Sequence, residues 1–290
     1  RLLITLLLLA LLPLAVWAKP DANQALKLLA DGNARFVADA PQHPNLGAAR
    51  LAQAVSEGQG KHAYATVVCC SDSRVPPELL FDAGIMDLFV VRIAGNVCST
   101  DEIGSVEYGV RHVNTPVLLV LGHSHCGAVT AVTEAATGHG HELERNIPPL
   151  VAPIGPAVQR AIARLPGAAP AVVVPVAIEE NVWEGMRNLL LQSAAIREDV
   201  KSGRVKMVGA IYDLPSGKVS WLPEAKVSEI LALVEADSTR AMEVMAGGHS
   251  ADHASVTTAH GTPVHAADAP AAHGAVAEPA AHGAPTTDVA

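Results

Sequence analysis

Two short segments of the chain carry side chains that together suit a metal ion. Cys70 begins the segment CSDSR, and His123 and Cys126 lie in the segment HSHCG. Two thiolates and one imidazole are ligands that tetrahedral zinc prefers, and three protein ligands leave the fourth position open. Structural zinc sites are usually closed by four ligands, so this donor set indicates a catalytic zinc site.

A carboxylate and a guanidinium follow the first of these cysteines. Asp72 and Arg74 can pair with each other, which offsets the free-energy cost of placing two charges at the end of a buried strand. In such a pair Arg74 fixes the carboxylate by a bidentate interaction. Asp72 can also reach the metal ion or the water bound to it. The residues therefore predict either a fourth metal ligand or a group that orients the reacting water.

The strands that must position these residues are marked by apolar runs rich in β-branched residues. The runs span residues 63–69, 88–94, 116–122 and 204–212, and they are typical of buried parallel strands. A turn at Pro215 then leads into a predicted edge hairpin. Amphipathic stretches predict helices at residues 22–38, 101–113, 128–137 and 176–201, with Ser99 and Glu102 spaced as a capping box. The alternation predicts an α/β fold, with a mostly parallel central sheet and helices on both faces.

Functional groups in such sheets gather just beyond the carboxyl ends of the strands. The first predicted strand leads into Cys70 and the third leads into His123, so we expect the two segments to meet at one edge of the sheet. Cys126 begins a predicted helix, whose dipole favours the thiolate. We expect Gly122 and Gly127 to let the backbone turn tightly around the metal.

Composition limits the class of the protein and its partners. The chain has 290 residues, 50% of them apolar, with 20 Lys and Arg against 29 Asp and Glu and a formal net charge of −9. This apolar content can bury a sizeable core and excludes a wholly disordered chain. The composition also argues against nucleic acid as a partner, because binding its backbone needs clustered Lys and Arg, and the sequence has no such run.

The two ends of the chain differ in composition from the rest. Residues 1–18 form an apolar run with Val16 and Ala18 placed as a cleavage site, which predicts a signal peptide. A membrane anchor is the alternative, but Pro13 interrupts the run, which is short for a bilayer. We expect the mature domain, residues 19–245, to be periplasmic or secreted, with no membrane contact after cleavage. Residues 246–290 predict a disordered tail rich in His, Ala and Pro, which either solubilises the chain or binds metal weakly.

Four motifs follow one another along the chain: CSDSRVPPE, FVVRIAGNV, SVEYGV and GHSHCGAV. With them, residues 26–222 resemble the β-class carbonic anhydrases of bacteria. The resemblance implies a Zn²⁺ cofactor, a homodimer or tetramer, and the reversible hydration of carbon dioxide to bicarbonate and a proton by attack of zinc-bound hydroxide. Two alternatives stay open, namely a COS or CS₂ hydrolase on the same fold and a periplasmic zinc-binding protein.

Residue by residue, the resemblance places the zinc ligands at Cys70, His123 and Cys126 and the catalytic dyad at Asp72 and Arg74. Two subgroups of the family differ in the resting role of the aspartate. Where a tryptophan and a glycine stand shortly before the first cysteine ligand, the aspartate binds the metal. This chain has valine and cysteine at those positions, residues 67 and 69. The resemblance therefore favours the subgroup in which water holds the fourth metal position and Asp72 pairs with Arg74.

The resemblance also extends to the substrate pocket. Phe89 and Tyr108 match aromatic residues that a neighbouring subunit contributes to the pocket. Lys61 stands where many members have a glutamine that positions bicarbonate, with Gln59 two residues earlier, and Met86 stands where glycine is usual. We expect these departures to be tolerated at the metal site, although they leave the glutamine's role open.

Three further residues near the motifs have open roles. Strand alternation predicts that Cys69 points away from the metal ligands and packs as a small apolar residue. A disulfide between Cys69 and Cys98 is one possibility in an oxidising compartment. His125 is either a group that assists proton transfer or a solvent-facing residue without a role in the reaction.

Overall fold

A five-stranded sheet forms the centre of residues 19–245, the part of the chain that this computed structural model describes. Its strands are β1 (Ala65–Cys69), β2 (Leu88–Arg92), β3 (Val117–His123), β4 (Lys206–Tyr212) and β5 (Val219–Trp221). They lie in the order β2-β1-β3-β4-β5, with β1 to β4 parallel and β5 antiparallel to β4. The four predicted strands and the edge hairpin are confirmed. The predicted signal peptide and tail lie outside the described residues.

Helices cover both faces of the sheet, which confirms the predicted α/β architecture. Within the described residues they are α1 (Ala22–Val37), α2 (Ala48–Ser56), α3 (Pro77–Leu80), α4 (Thr100–Arg111), α5 (Gly127–Ala136), α6 (Ile147–Val151), α7 (Gly155–Arg164), α8 (Pro170–Gln192), α9 (Ala194–Lys201) and α10 (Glu224–Ala236). None of these helices combines the length and the apolar character that a membrane crossing needs. Every residue of β1 and β3 is buried, because neither face of the central strands meets water.

The core has three parts, and each lies against a different surface of the sheet. One face packs against α4, α8 and α10, through residues that include Val106 and Met186. The opposite face packs against α1 and α3, through residues that include Leu29. A third cluster, to which α5, α7 and α8 contribute, contains Cys70 and Cys126 at the carboxyl ends of the strands. The predicted metal ligands therefore lie in an apolar environment.

The predicted helices are confirmed at three places and corrected at a fourth. Helices α1, α4 and α5 agree with the predicted ranges to within two residues, and the Ser99 amide donates to the Glu102 carboxylate at 3.0 Å, as a capping box requires. The predicted helix 176–201 is two helices, α8 and α9. Ser193 leaves the helical conformation, and its hydroxyl accepts a hydrogen bond from the Ile196 amide, so this serine caps α9.

Helices α2, α3, α6, α7 and α10 were not predicted from the sequence. Helices α3 and α6 have only four and five residues, and α2, α7 and α10 each bury at most three residues.

The expected role of the two glycines beside the metal ligands is wrong. Gly122 lies within β3, and a Cβ atom there would come within 2.7 Å of Val182 Cγ2 on α8. Gly122 therefore allows α8 to pack closely on β3. Gly127 is the first residue of α5, and a Cβ atom there would meet nothing within 4 Å. The tight turn between the ligands is made at His125, which has a left-handed φ of 57°.

This difference between the two glycines predicts different effects of the same substitution. We expect Gly122→Ala to lower the free energy of unfolding by about 1–3 kcal/mol, because the new methyl group overpacks the α8–β3 contact. Gly127→Ala should leave it unchanged or raise it by up to about 1 kcal/mol, because alanine suits a helix better. Urea unfolding of both variants measures this. Equal destabilisation by the two substitutions would contradict the packing role of Gly122.

Candidate metal centre

The parallel pairing of β1 with β3 brings the two predicted segments together. Cys69 is in register with Leu121, so Cys70 and His123 leave the sheet at the same edge. One ligand atom each from Cys70, His123 and Cys126 lies within 4.8 Å of the others, and all three residues are buried. The expectation that these residues meet at one edge of the sheet is confirmed.

The imidazole of His123 is fixed in the orientation that metal binding requires. Its Nδ1 lies 2.9 Å from the main-chain carbonyl of Ser124. A carbonyl only accepts hydrogen bonds, so Nδ1 carries the proton and Nε2 keeps a free lone pair. This Nε2 atom is buried and has no hydrogen-bond partner among residues 19–245. A buried polar atom without a partner is costly, and a metal ion removes this cost by accepting the lone pair.

The two thiols of the cluster cannot both ionise without a cation. The pKa of Cys70 is lowered, chiefly because its sulfur accepts a hydrogen bond from the Cys126 thiol. The same interaction raises the pKa of Cys126, since that thiol keeps the proton. Cys70 Sγ also accepts hydrogen bonds from the main-chain amides of Gly95, at 3.3 Å, and Asp72, at 3.4 Å. This donor set fits a divalent ion, whose binding displaces the remaining proton.

Asp72 lies beside the cluster, but its carboxylate is paired with Arg74. Arg74 Nε donates to Oδ1 at 2.9 Å, and Nη2 donates to Oδ2 at 2.6 Å. The Arg74 side chain holds the pKa of Asp72 well below its usual range, and the Arg74 amide adds a further hydrogen bond. The structure therefore brings together three of the four candidate metal ligands, Cys70, His123 and Cys126, and leaves out Asp72. Asp72 adopts the paired arrangement that the sequence favours for the resting state.

Arg92 supports this loop and was not identified from the sequence. Its Nε donates to the carbonyl of Cys70 at 3.2 Å, and its Nη2 donates to the carbonyl of Asp72 at 2.7 Å. Arg74 Nη2 in turn donates to the carbonyl of His125 at 3.2 Å, which joins the two ligand-bearing loops. The available signal was a lone arginine at the end of the strand next to β1.

The two predicted pocket aromatics do not lie at this chain's own metal cluster. Phe89 is in register with Thr66, four residues before Cys70, and a strand rises ~3.3 Å per residue, so the two sites lie roughly 13 Å apart along the strand. The rings of Phe89 and Tyr108 are 6.0 Å apart, and Tyr108 also stacks on His112 at 5.1 Å. Tyr108 is 51% exposed. Phe89 is half-buried, so the aromatic pair lies partly at the surface, away from the metal cluster.

The structure also shows where the other residues noted in the sequence lie, namely the two remaining cysteines, Met86 at the position where glycine is usual, His125 and Lys61. Cys69 and Cys98 are free thiols in clusters on opposite faces of the sheet, which argues against the disulfide considered from the sequence. Met86 has a left-handed φ of 66°, which explains why glycine is usual at that position. His125 is exposed, and Lys61 lies in an exposed turn with its Nζ 3.7 Å from a Glu57 oxygen.

A buried Cys-His-Cys centre at the carboxyl edge of a parallel sheet defines the class of protein, and comparison with known proteins identifies the family. The family model for carbonic anhydrase matches residues 65–219. The carbonic anhydrase of Mycolicibacterium smegmatis is 38% identical over 202 residues, which cover 69% of this chain and 94% of that one. Carbonic anhydrase 2 of Mycobacterium tuberculosis is 36% identical over 201 residues, which cover 69% and 93%.

A solved structure agrees with these relatives. The β-carbonic anhydrase CafA of Aspergillus fumigatus matches with a TM-score of 0.54 and 25% identity, over 70% of this chain and 94% of that one. The chain belongs to the β-carbonic anhydrase family, and the resemblance seen in its motifs is confirmed.

The cluster predicts which cysteines hold a metal ion. We expect the purified chain to bind one Zn²⁺, and we expect Cys70→Ser, His123→Ala and Cys126→Ser each to lose it, because three ligands leave none to spare. Cys69→Ala and Cys98→Ala are matched controls, since both cysteines are buried outside the cluster. Elemental analysis after dialysis measures the bound metal. Stoichiometric zinc in any of the three ligand variants would refute the assignment.

Proposed function

We propose that this protein catalyses the reversible hydration of carbon dioxide to bicarbonate and a proton, with Zn²⁺ held by Cys70, His123 and Cys126. Membership of the β-carbonic anhydrase family supports this activity. The observation that carries the proposal is the buried Nε2 of His123 within the thiol cluster, which lacks a hydrogen-bond partner in the described part of the chain. It supports an ion at this position, beside the paired Asp72 carboxylate.

The chain's own groups divide the work of the reaction. A bound zinc ion supplies a Lewis acid that makes water a nucleophile near neutral pH. Asp72, kept ionised by Arg74, can only accept a hydrogen bond. Its carboxylate therefore accepts a hydrogen bond from the O–H of the reacting water. This orients the water so that a lone pair points toward the carbon atom of the substrate.

The surroundings of the cluster suit an apolar substrate. Val97 and Val129 are buried in the same cluster as the two cysteines, and Ile93 packs against it. Carbon dioxide is apolar and offers few groups for recognition, so apolar side chains suffice to admit it.

The role given to Asp72 predicts that metal binding and turnover can be separated. We expect Asp72→Asn to keep one Zn²⁺ per chain and to lower kcat/KM for carbon dioxide hydration by about 100-fold or more, because an amide can donate where the carboxylate only accepts. Ser73→Ala, an exposed change in the same loop, is the matched control. Stopped-flow hydration measures the rate. If Asp72→Asn hydrates carbon dioxide at the parent's rate, the orienting role of Asp72 is refuted. If the variant loses zinc, Asp72 is a metal ligand.

We further propose that a second copy of the chain completes the site, in a homodimer or in a tetramer built from two such dimers. Phe89 and Tyr108 lie away from their own cluster, and both belong to the pocket that the sequence resemblance implies. Large apolar side chains are also exposed along the amino-terminal part of the described chain, namely Leu28, Leu46, Leu51 and Val55. Apolar surface of this kind indicates contact with another molecule.

Mixed dimers test whether the aromatic groups act across the interface. Phe89→Ala and Cys126→Ser should each be inactive alone, whereas their co-expressed mixture should recover about a quarter of the parental site activity, because half of the dimers are mixed and each has one intact site. A mixture of His123→Ala with Cys126→Ser is the control and should recover nothing, since both changes damage the metal centre. Absence of recovery in the first mixture would place Phe89 in its own chain's site.

We also propose that the mature protein begins at Lys19, is periplasmic or secreted, and carries residues 246–290 as a tail outside the catalytic domain. The Lys19 side chain supports this start of the domain, because its Nζ donates to the carbonyls of Gly60 at 2.9 Å and Val113 at 2.8 Å. The mass of the exported protein should correspond to a chain that begins at Lys19. An exported chain that retains residues 1–18 would contradict the proposal.

A further inference from the structure

Asn181 is a polar residue in the buried part of α8. It is 3% exposed and lies between Ile178 and Val182, which are both core residues. Its Nδ2 donates to the carbonyl of Gly95 at 2.8 Å, although the two residues are 86 positions apart in the sequence. A buried amide among apolar residues needs such a partner, because an unsatisfied polar group is costly. The contact ties α8 to the loop that follows β2.

Gly95 connects this contact to the metal centre. Its amide donates to Cys70 Sγ at 3.3 Å, while its carbonyl accepts from Asn181. The two peptide groups that flank Gly95 are thus held from opposite sides, one by the ligand and one by α8. Gly95 itself has a left-handed φ of 73°, and a Cβ atom there would lie 2.7 Å from Ile154 Cδ1 and 3.0 Å from Ala128 Cβ.

Glycine alone does not fix this geometry. It has the widest range of backbone conformations of any residue, so its position needs an external restraint. Within the described residues, the side chain that bonds the Gly95 carbonyl is that of Asn181. If that bond is lost, the carbonyl becomes a buried acceptor without a partner. The flexible glycine backbone then loses the restraint that α8 supplies, and the neighbouring peptide group is held less firmly with its amide on Cys70.

We infer that Asn181 is a positioning residue of the metal centre, which holds the Gly95 amide on the sulfur of Cys70. The inference rests on the proposed function, because it assumes that Cys70 is a metal ligand. Groups that hydrogen-bond to a metal ligand orient it and adjust its charge, and their loss typically weakens metal binding 10- to 100-fold. An amide that donates to a thiolate disperses negative charge from the sulfur.

Zinc affinity is the first measurement. The full chain is titrated with Zn²⁺ in competition with a chromogenic chelator, and we expect Asn181→Ala to bind about 10- to 100-fold more weakly than the parent. Asn181→Thr is a second variant of similar size, whose hydroxyl can bond to the preceding turn of the helix and preserve folding. It should show the same loss. Asn188→Ala, half-buried on the same helix, is the matched control and should bind zinc as the parent does.

Cobalt absorption separates positioning from a purely structural role. With Co²⁺ in place of zinc, the sulfur-to-cobalt charge-transfer band should move to lower energy in both Asn181 variants, because a thiolate that accepts fewer hydrogen bonds gives up an electron more easily. An unchanged band with lowered thermal stability would show that Asn181 only supports the fold, and would overturn the inference. Parental zinc affinity in both variants would also overturn it. Failure of the parent chain to bind zinc would instead refute the proposed function.

Discussion

Two thiols and an imidazole nitrogen are buried within 4.8 Å of one another, and the surrounding loops and helices are arranged to make this possible. A buried charge costs several kcal/mol unless it is compensated, so ionising both thiols requires a cation together with groups that stabilise the thiolates. The chain supplies such groups from three directions. The amides of Asp72 and Gly95 donate to Cys70, and Cys126 stands at the amino terminus of α5, where the helix dipole favours negative charge.

Two arginines then determine where the reacting carboxylate points. Arg74 binds both oxygens of Asp72, whereas Arg92 binds the main-chain carbonyls on either side of Ser71. One arginine therefore fixes the side chain and the other fixes the backbone that carries it. Because Arg92 extends from β2 and the cysteine ligand follows β1, the parallel pairing of these strands is what makes the second restraint possible.

The sequence predicts those parts of the site whose residues are neighbours in the chain. Apolar runs identified β1 and β3, and the segments that follow them contain the three ligands and the Asp72–Arg74 pair. Contacts of α8 could not be predicted in this way. The close packing of Val182 on Gly122 and the hydrogen bond from Asn181 to Gly95 both depend on where α8 crosses the sheet. That crossing depends on tertiary packing, and local spacing contains no signal for it.

The position of the aromatic pair follows from similar packing. Gly109 directly follows Tyr108 in α4, and a Cβ atom at Gly109 would come within 2.4 Å of Thr66 Oγ1 and 2.8 Å of Phe89 Cδ1. The glycine therefore lets α4 lie close to β1 and β2, which brings Tyr108 to within 6.0 Å of the Phe89 ring. Since the same contact leaves Tyr108 half exposed, the close approach of α4 determines where the aromatic pair reaches the surface, at a distance from this chain's own metal centre.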